Sequence, residues 1–153
     1  MTCTTLNMAR IRHDIERDEG VIYEIYVCPL GHLTFGVGHL VRLGDAEHGM
    51  PAGTPVSRAR VELAFDNDLR DVLDDCKALF DEWYDFPGEV KSILVNMCFN
   101  LGRTRLSKFK KTIAAIESGD YETAAVEMRD SKWYRQVTKR AERLATRMEM
   151  VGE

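Results

Sequence analysis

A chain of 153 residues, 44% hydrophobic and 30% charged, can bury one sizeable core and is short for two independent domains. No window approaches the roughly twenty apolar residues of a membrane span, so stable membrane insertion is not expected. Met1 to Arg17 is polar and alternates in charge, which reads as neither signal peptide nor anchor and implies a protein made and held in a cytoplasm.

The net charge of −4 hides an asymmetry: residues 1–100 carry 9 Lys/Arg against 17 Asp/Glu, and residues 101–153 carry 12 against 8. A basic C-terminal third suits a polyanion such as a cell-wall polymer or nucleic acid, and equally suits a solvated helical surface. Cys3, Cys28, Cys76 and Cys98 lie far apart with no Cys-x-x-Cys pair. Zinc is therefore not expected, and the four read as reduced thiols.

In chain order, Leu6 to Asp18 has the spacing of a first helix, with Gly20 as the residue that stops it. Tyr23–Val27 and Leu33–Val37 are two short β-rich pieces joined by a Pro/Gly turn. Residues 42–56, rich in Gly and Pro and without period, form a loop whose tip should be the most mobile part. Ser57 caps a helix running to about Phe80, with Val61, Phe65, Leu69, Val72 and Leu73 as its apolar stripe. A turn at Asp85–Gly88 leads to an apolar helix, Glu89 to Leu101, stopped by Gly102. Ser107 is the expected cap of Lys108 to Ser118, and Tyr121–Arg129 and Thr138–Met150 complete the helical half. This pattern is α+β and mostly α: a small β-containing lobe near residues 20–56, a linking helix at about 57–80, and a helical lobe at about 81–153 joined by the N-terminal helix. A cleft between the lobes is the expected ligand site.

Glu19, Cys28 and Thr34 stand on that hairpin region, and Gly36-Val37-Gly38-His39 follows. A carboxyl at a helix end, facing a hairpin with a thiol and a hydroxyl, is how a site with a general acid can be built. As a string, Glu, eight residues, Cys, five residues, Thr, then Gly-x-Gly-His resembles the phage-type lysozyme family, the T-even bacteriophage kind. Four further blocks are similar in order and spacing: Asn96 to Gly102, Asp120 to Ala125, Ser131 to Tyr134, and Arg140 to Arg143.

The resemblance implies a two-lobed lysozyme fold and an endolysin that cleaves the β-1,4 bond between N-acetylmuramic acid and N-acetylglucosamine in bacterial peptidoglycan. It implies inversion at the anomeric carbon, no metal or cofactor, and no nucleic-acid partner. It implies a monomer in the host cytoplasm until a separate holin-type pore releases it. Glu19 becomes the general acid, Thr34 the residue that helps hold the attacking water, and Cys28 the third catalytic position, where the best-known members have Asp. Leu40, Phe99 and Thr112 align with substrate-contacting positions, Phe99 having core packing as an equal rival. Arg140 aligns with the Arg that orients the acid, and His39 pairs in the family with an Asp that register places at Asp68. A substrate-contacting Asn falls on Glu127, which breaks the pattern. Trp133 reads as a core anchor and His32 as solvent-exposed. Two other readings are a cysteine hydrolase with Cys28 as nucleophile and His32 or His39 as base, and a non-catalytic wall-binding module.

Overall fold

Residues 3–153 are described by a computed structural model that is 61% helical and carries one small antiparallel sheet, so the mostly α, α+β class expected from the pattern holds. The elements are α1 (Met8–Glu19), β1 (Ile22–Val27), β2 (Leu33–Gly36), β3 (His39–Leu40), α2 (Arg58–Leu79), α3 (Gly88–Leu101), α4 (Arg103–Ser107), α5 (Lys110–Glu117), α6 (Tyr121–Arg129), α7 (Lys132–Gln136) and α8 (Thr138–Val151). The strands lie in the order β1-β2-β3. Contacts divide the chain into two compact units, Met1–Ile11 with Val72–Glu153, and Arg12–Asp71.

In the unit Arg12–Asp71 the sheet closes over Ile15, Ile25, Phe35, Val61, Phe65 and Leu69, all buried. The alternation along β1 and β2 points Ile25 and Phe35 inward. The loop after β3 returns along the outer edge of β1, where the Ile25 and Val56 amides donate to the Thr54 and Tyr23 carbonyls and the Gly53 amide to the Ile25 carbonyl. That edge is thereby covered. The third strand has no counterpart in the sequence reading, because two residues are too few to show a period of two.

His39 fastens this unit. Its Nδ1 lies 2.7 Å from Asp68 of α2 and its Nε2 lies 2.8 Å from Asp45 of the loop. Asp45 also accepts from the Arg42 amide and from Arg60, and Arg60 in turn holds Glu47 through two nitrogens. Arg60 lies over the Phe35 ring, which itself packs on His39 with centroids 4.9 Å apart. The loop expected to be loose is therefore tied at Asp45 and at Glu47, which is buried.

The other unit is organised on α3, whose buried residues run round the whole helix from Val90 to Leu101. Its polar members are satisfied: Lys91 Nζ donates to the Thr4 and Tyr84 carbonyls, and Asn96 Oδ1 accepts from Arg140 Nε at 2.8 Å. Small residues on α6 and α8 (Ala124, Ala125, Ala141, Ala145) are buried and let these helices approach closely. Cys76 and Cys98, distant in sequence, meet in this core. Cys76 Sγ lies 3.9 Å from the Leu94 carbonyl, one turn before Cys98. The hydrogen bond with Cys98, then burial, holds the Cys76 thiol protonated. All four cysteines are free.

Two boundaries differ from the sequence reading. Ser107 does not cap the next helix; it ends α4, its hydroxyl donating back to the Thr104 carbonyl, while the α5 N-cap is Phe109 with no side-chain bond. Burying Leu106 requires that extra turn of helix. The Trp133 segment is a short helix, α7, capped by Ser131.

The His39 clamp has a pH signature. Burial opposes the imidazolium, yet the hydrogen bonds and charges of Asp68 and Asp45 outweigh it and raise the pKa above 6.5. The stabilisation is full below the unfolded-state value near 6.5 and is lost as pH rises through the higher folded-state value. Denaturant titrations of wild type across that range should show stability falling. His39→Asn should cost roughly 2–4 kcal/mol at acidic pH, since two partly buried carboxylates lose their shared donor, and should abolish that slope.

Candidate active site

Glu19 is the last residue of α1, half-buried. The chain turns away from it at Gly20, whose φ of 76° gives the left-handed stop of a helix. Across from it, Gly38 also has a positive φ of 63°, and a Cβ there would stand 3.0 Å from Glu19 Oε2. Only a residue without a side chain lets β3's approach pass beneath the carboxylate. Gly36 meets Val61 of α2 in the same way, at 3.0 Å. The Gly-x-Gly of the motif thus seats the sheet against α2 with one glycine and Glu19 with the other.

Cys28 opens the hairpin turn. Pro29 sets φ for the next position, the Gly31 amide donates to the Cys28 carbonyl at 2.8 Å, and Gly31 takes a φ of 87°. The first position of such a turn favours Asp or Asn because a short side-chain acceptor can receive amides two or more residues on. Here the acceptor is sulfur. The His32 amide is the main cause that lowers the Cys28 pKa, against the cost of burial, with further help from the Leu30 amide, the Thr34 hydroxyl and the Gly31 amide. No basic side chain is involved. The signal for this is present in Pro29-Leu30-Gly31, a turn that points its amides toward the residue before it.

Thr34 is buried, the Cα partner of Tyr26 on one side and of Leu40 on the other. Its hydroxyl donates to the His32 carbonyl at 3.0 Å. A hydroxyl has one proton, so with the proton on that carbonyl Oγ1 is an acceptor toward Cys28; toward a thiolate it must turn and donate. Thr34 can thus meet either protonation state of the sulfur.

Tyr26 was missed in the sequence. It sits in the same row across the sheet as Thr34 and exposed Leu40, and its phenol is held protonated by burial first, then by the charges of Glu19 and Cys28. The charges of both the candidate acid and the candidate thiol thus act on Tyr26. Neither candidate base of the cysteine-hydrolase reading serves Cys28. Both ring nitrogens of His39 are engaged by carboxylates, and His32 is exposed and contributes its backbone.

The remaining candidates lie in the other unit. Phe99 is half-buried on α3, which leaves part of its ring presented. Arg140 is buried and bonded to Asn96. Thr112 is buried at the foot of a groove of about 610 Å³ that Glu127 also lines. Trp133 forms part of the same floor, only 2% exposed, its Nε1 donating to Asn100 at 2.8 Å. Among the described residues no group of three His, Cys, Asp or Glu is placed to hold a metal ion.

A family model described as Phage lysozyme matches residues 16–150. "Probable T4-type lysozyme 2" of Dictyostelium discoideum is 26% identical over 90% of this chain and 92% of its own length. The "Pre-baseplate central spike protein Gp5" of Enterobacteria phage T4 is 29% identical over 85% of this chain, which spans 26% of that protein. "Peptidoglycan hydrolase gp36" of Pseudomonas phage phiKMV is 33% identical over 74% of this chain and 12% of its own length. With the match running from the end of α1 through almost all of α8, and so over Glu19, Cys28, Thr34 and the glycines that seat them, the chain belongs to the phage lysozyme family.

Proposed function

We propose that the chain is a lysozyme of the endolysin type, a glycoside hydrolase that cleaves the N-acetylmuramic acid–N-acetylglucosamine β-1,4 bond of peptidoglycan. The observation that carries this is the seating of the Glu19 carboxyl against Gly38 in the unit that also holds the Cys28 turn and Thr34. The lysozyme and peptidoglycan-hydrolase names of its relatives support the substrate class. In this reading Glu19 protonates the leaving oxygen, and Cys28 and Thr34 take a water on the opposite face of the sugar. The hydrogen-bonded thiolate accepts that water's proton, and Thr34 turns to follow the change. Leu40, Phe99 and Thr112 contact the glycan. The product is the inverted α-anomer. The chain acts as a monomer held in the host cytoplasm and let through by a separate pore former.

Two experiments test this. Glu19→Gln should fold normally and lose roughly two to four orders of magnitude of reducing-sugar release from purified peptidoglycan, because an amide has no acidic proton to give. Cys28→Asp should keep useful activity, since a carboxylate accepts the same turn amides, and Cys28→Ala should lose most of it. A β-anomer as first product by NMR, or full turnover in Glu19→Gln or Cys28→Ala, would overturn the assignment.

Gly38→Ala provides an independent check on the seat of the acid. The left-handed φ costs about 1 kcal/mol for any residue with a Cβ, and here the methyl also displaces the carboxyl. Gly53, at a φ of 92° with open space around it, pays the backbone cost alone. Gly53→Ala should therefore lower the melting temperature and leave turnover unchanged, while Gly38→Ala lowers both, with kcat down at least tenfold.

A further inference from the structure

Thr34 is the centre of a small patch on one face of the sheet. Residues paired directly across antiparallel strands point to the same side, with Cβ atoms about 5 Å apart. Thr34 has two such partners, Tyr26 on β1 and Leu40 on β3. Cys28 stands two residues beyond Tyr26, and its sulfur meets the Thr34 hydroxyl. Phe35 and His39, the neighbours of Thr34 and Leu40 in the chain, point the opposite way and pack ring on ring in the core. Tyr26, Cys28 and Leu40 therefore surround Thr34 on the face away from that core.

Exposure gives the patch its shape. Thr34 is 2% exposed, Leu40 is 47% exposed and Tyr26 is half-buried. Two large side chains thus rise on either side of a short, covered one, and the result is a trough with Thr34 as its floor. Leu40 offers a bound ring an apolar wall, and Tyr26 offers an aromatic body with a polar tip. That tip is not used by the fold. Burial first, and then the charges of Glu19 and Cys28, act on the phenol, and among the described residues no hydrogen bond does. The same influences keep its proton on, so it faces the trough as a donor. They also select its acceptor: an anion brought to the phenol would meet the charges of Glu19 and Cys28, whereas a neutral oxygen would not.

We infer that Tyr26 is a specificity-determining residue, its phenol donating a hydrogen bond to the acetamide carbonyl of an N-acetylated sugar seated over Thr34. This rests on the lysozyme reading of the same site. The acetamide carbonyl is a neutral, strong acceptor carried by the glycan itself. A site built to hydrogen-bond one group rejects the analogue that lacks it, which an apolar wall such as Leu40 cannot do alone.

The test compares kcat/KM for reducing-sugar release from purified peptidoglycan, from the same material N-deacetylated, and from that material re-acetylated. Wild type should fall about fivefold to tenfold on deacetylation and recover on re-acetylation. Tyr26→Phe, which keeps the ring, should lose about as much on native peptidoglycan and little more on the deacetylated glycan, because donor and acceptor make one interaction. Its melting temperature should match wild type, since the hydroxyl bonds nothing in the described fold. Tyr23→Phe, at an exposed ring of the same strand, should change neither turnover nor the preference for N-acetylated glycan. Wild-type kcat/KM in Tyr26→Phe would overturn the contact, as would a slower Tyr26→Phe enzyme that keeps the full preference. A melting temperature lowered together with turnover would assign the hydroxyl to the fold and overturn it as well. Wild type that releases no reducing sugar ends the lysozyme reading itself; wild type that cleaves beside an unaltered Tyr26→Phe ends only this assignment.

Discussion

The interaction on which the unit Arg12–Asp71 depends is the imidazole of His39 held between two carboxylates. A neutral imidazole has one N–H to give; an imidazolium has two, and only it can satisfy Asp68 and Asp45 together. Through Asp68 the clamp ties β3 to α2, and through Asp45 and Arg60 it ties the loop to both. Gly38 precedes His39 directly, so fixing the ring also fixes the backbone over which the Glu19 carboxyl lies. A structural ion pair and the seat of the candidate acid are thus one residue apart in the chain. The local order of the site follows from that adjacency.

The turn at Cys28 shows how a position whose amides suit a carboxylate can hold a thiol with the same surroundings. What the turn supplies is backbone amide, and amide donors at the first turn position stabilise any small anion placed there. Lowering the thiol's pKa by hydrogen bonding requires no cation nearby and leaves the sulfur accessible. Thr34 complements this because a hydroxyl can present either a lone pair or a proton. A fixed donor would suit only one protonation state of Cys28.

Charge is distributed between two uses. Arginine appears in the tied parts of the fold, with planar pairs at Glu47 and Glu142 that fix a loop and join α6 to α8. The lysines beside Thr112 (Lys108, Lys110 and Lys111) are flexible point charges with no ion pair among the described residues, at a helix end where intrinsic electrostatics disfavour them. The first arrangement stabilises the protein by itself.

How much of this was legible in the sequence depends on how local the cause is. The helices with strong apolar period, the hairpin with its Pro and Gly, the helix stop beside Glu19 and the spacing to Cys28 and Thr34 are properties of neighbouring residues. The chain alone determined them, and with them the family. The two-residue strand at His39 and the extra turn ending at Ser107 were not legible, because each exists to bury or pair something distant: Asp68 on α2 in the first case, Leu106 in the second. The expectation that His39 meets Asp68 came from family register, while the second carboxylate, Asp45, lies in a stretch without period and became visible only in the folded chain. Tyr26 read as an ordinary strand residue, and Cys76 and Cys98 as unrelated thiols. Sequence determines which groups a segment carries and how it curves. Which groups face one another, and so which charges are shared, raised or left without a partner, is decided by contacts between segments, and those exist only once tertiary packing has brought them within a few ångströms.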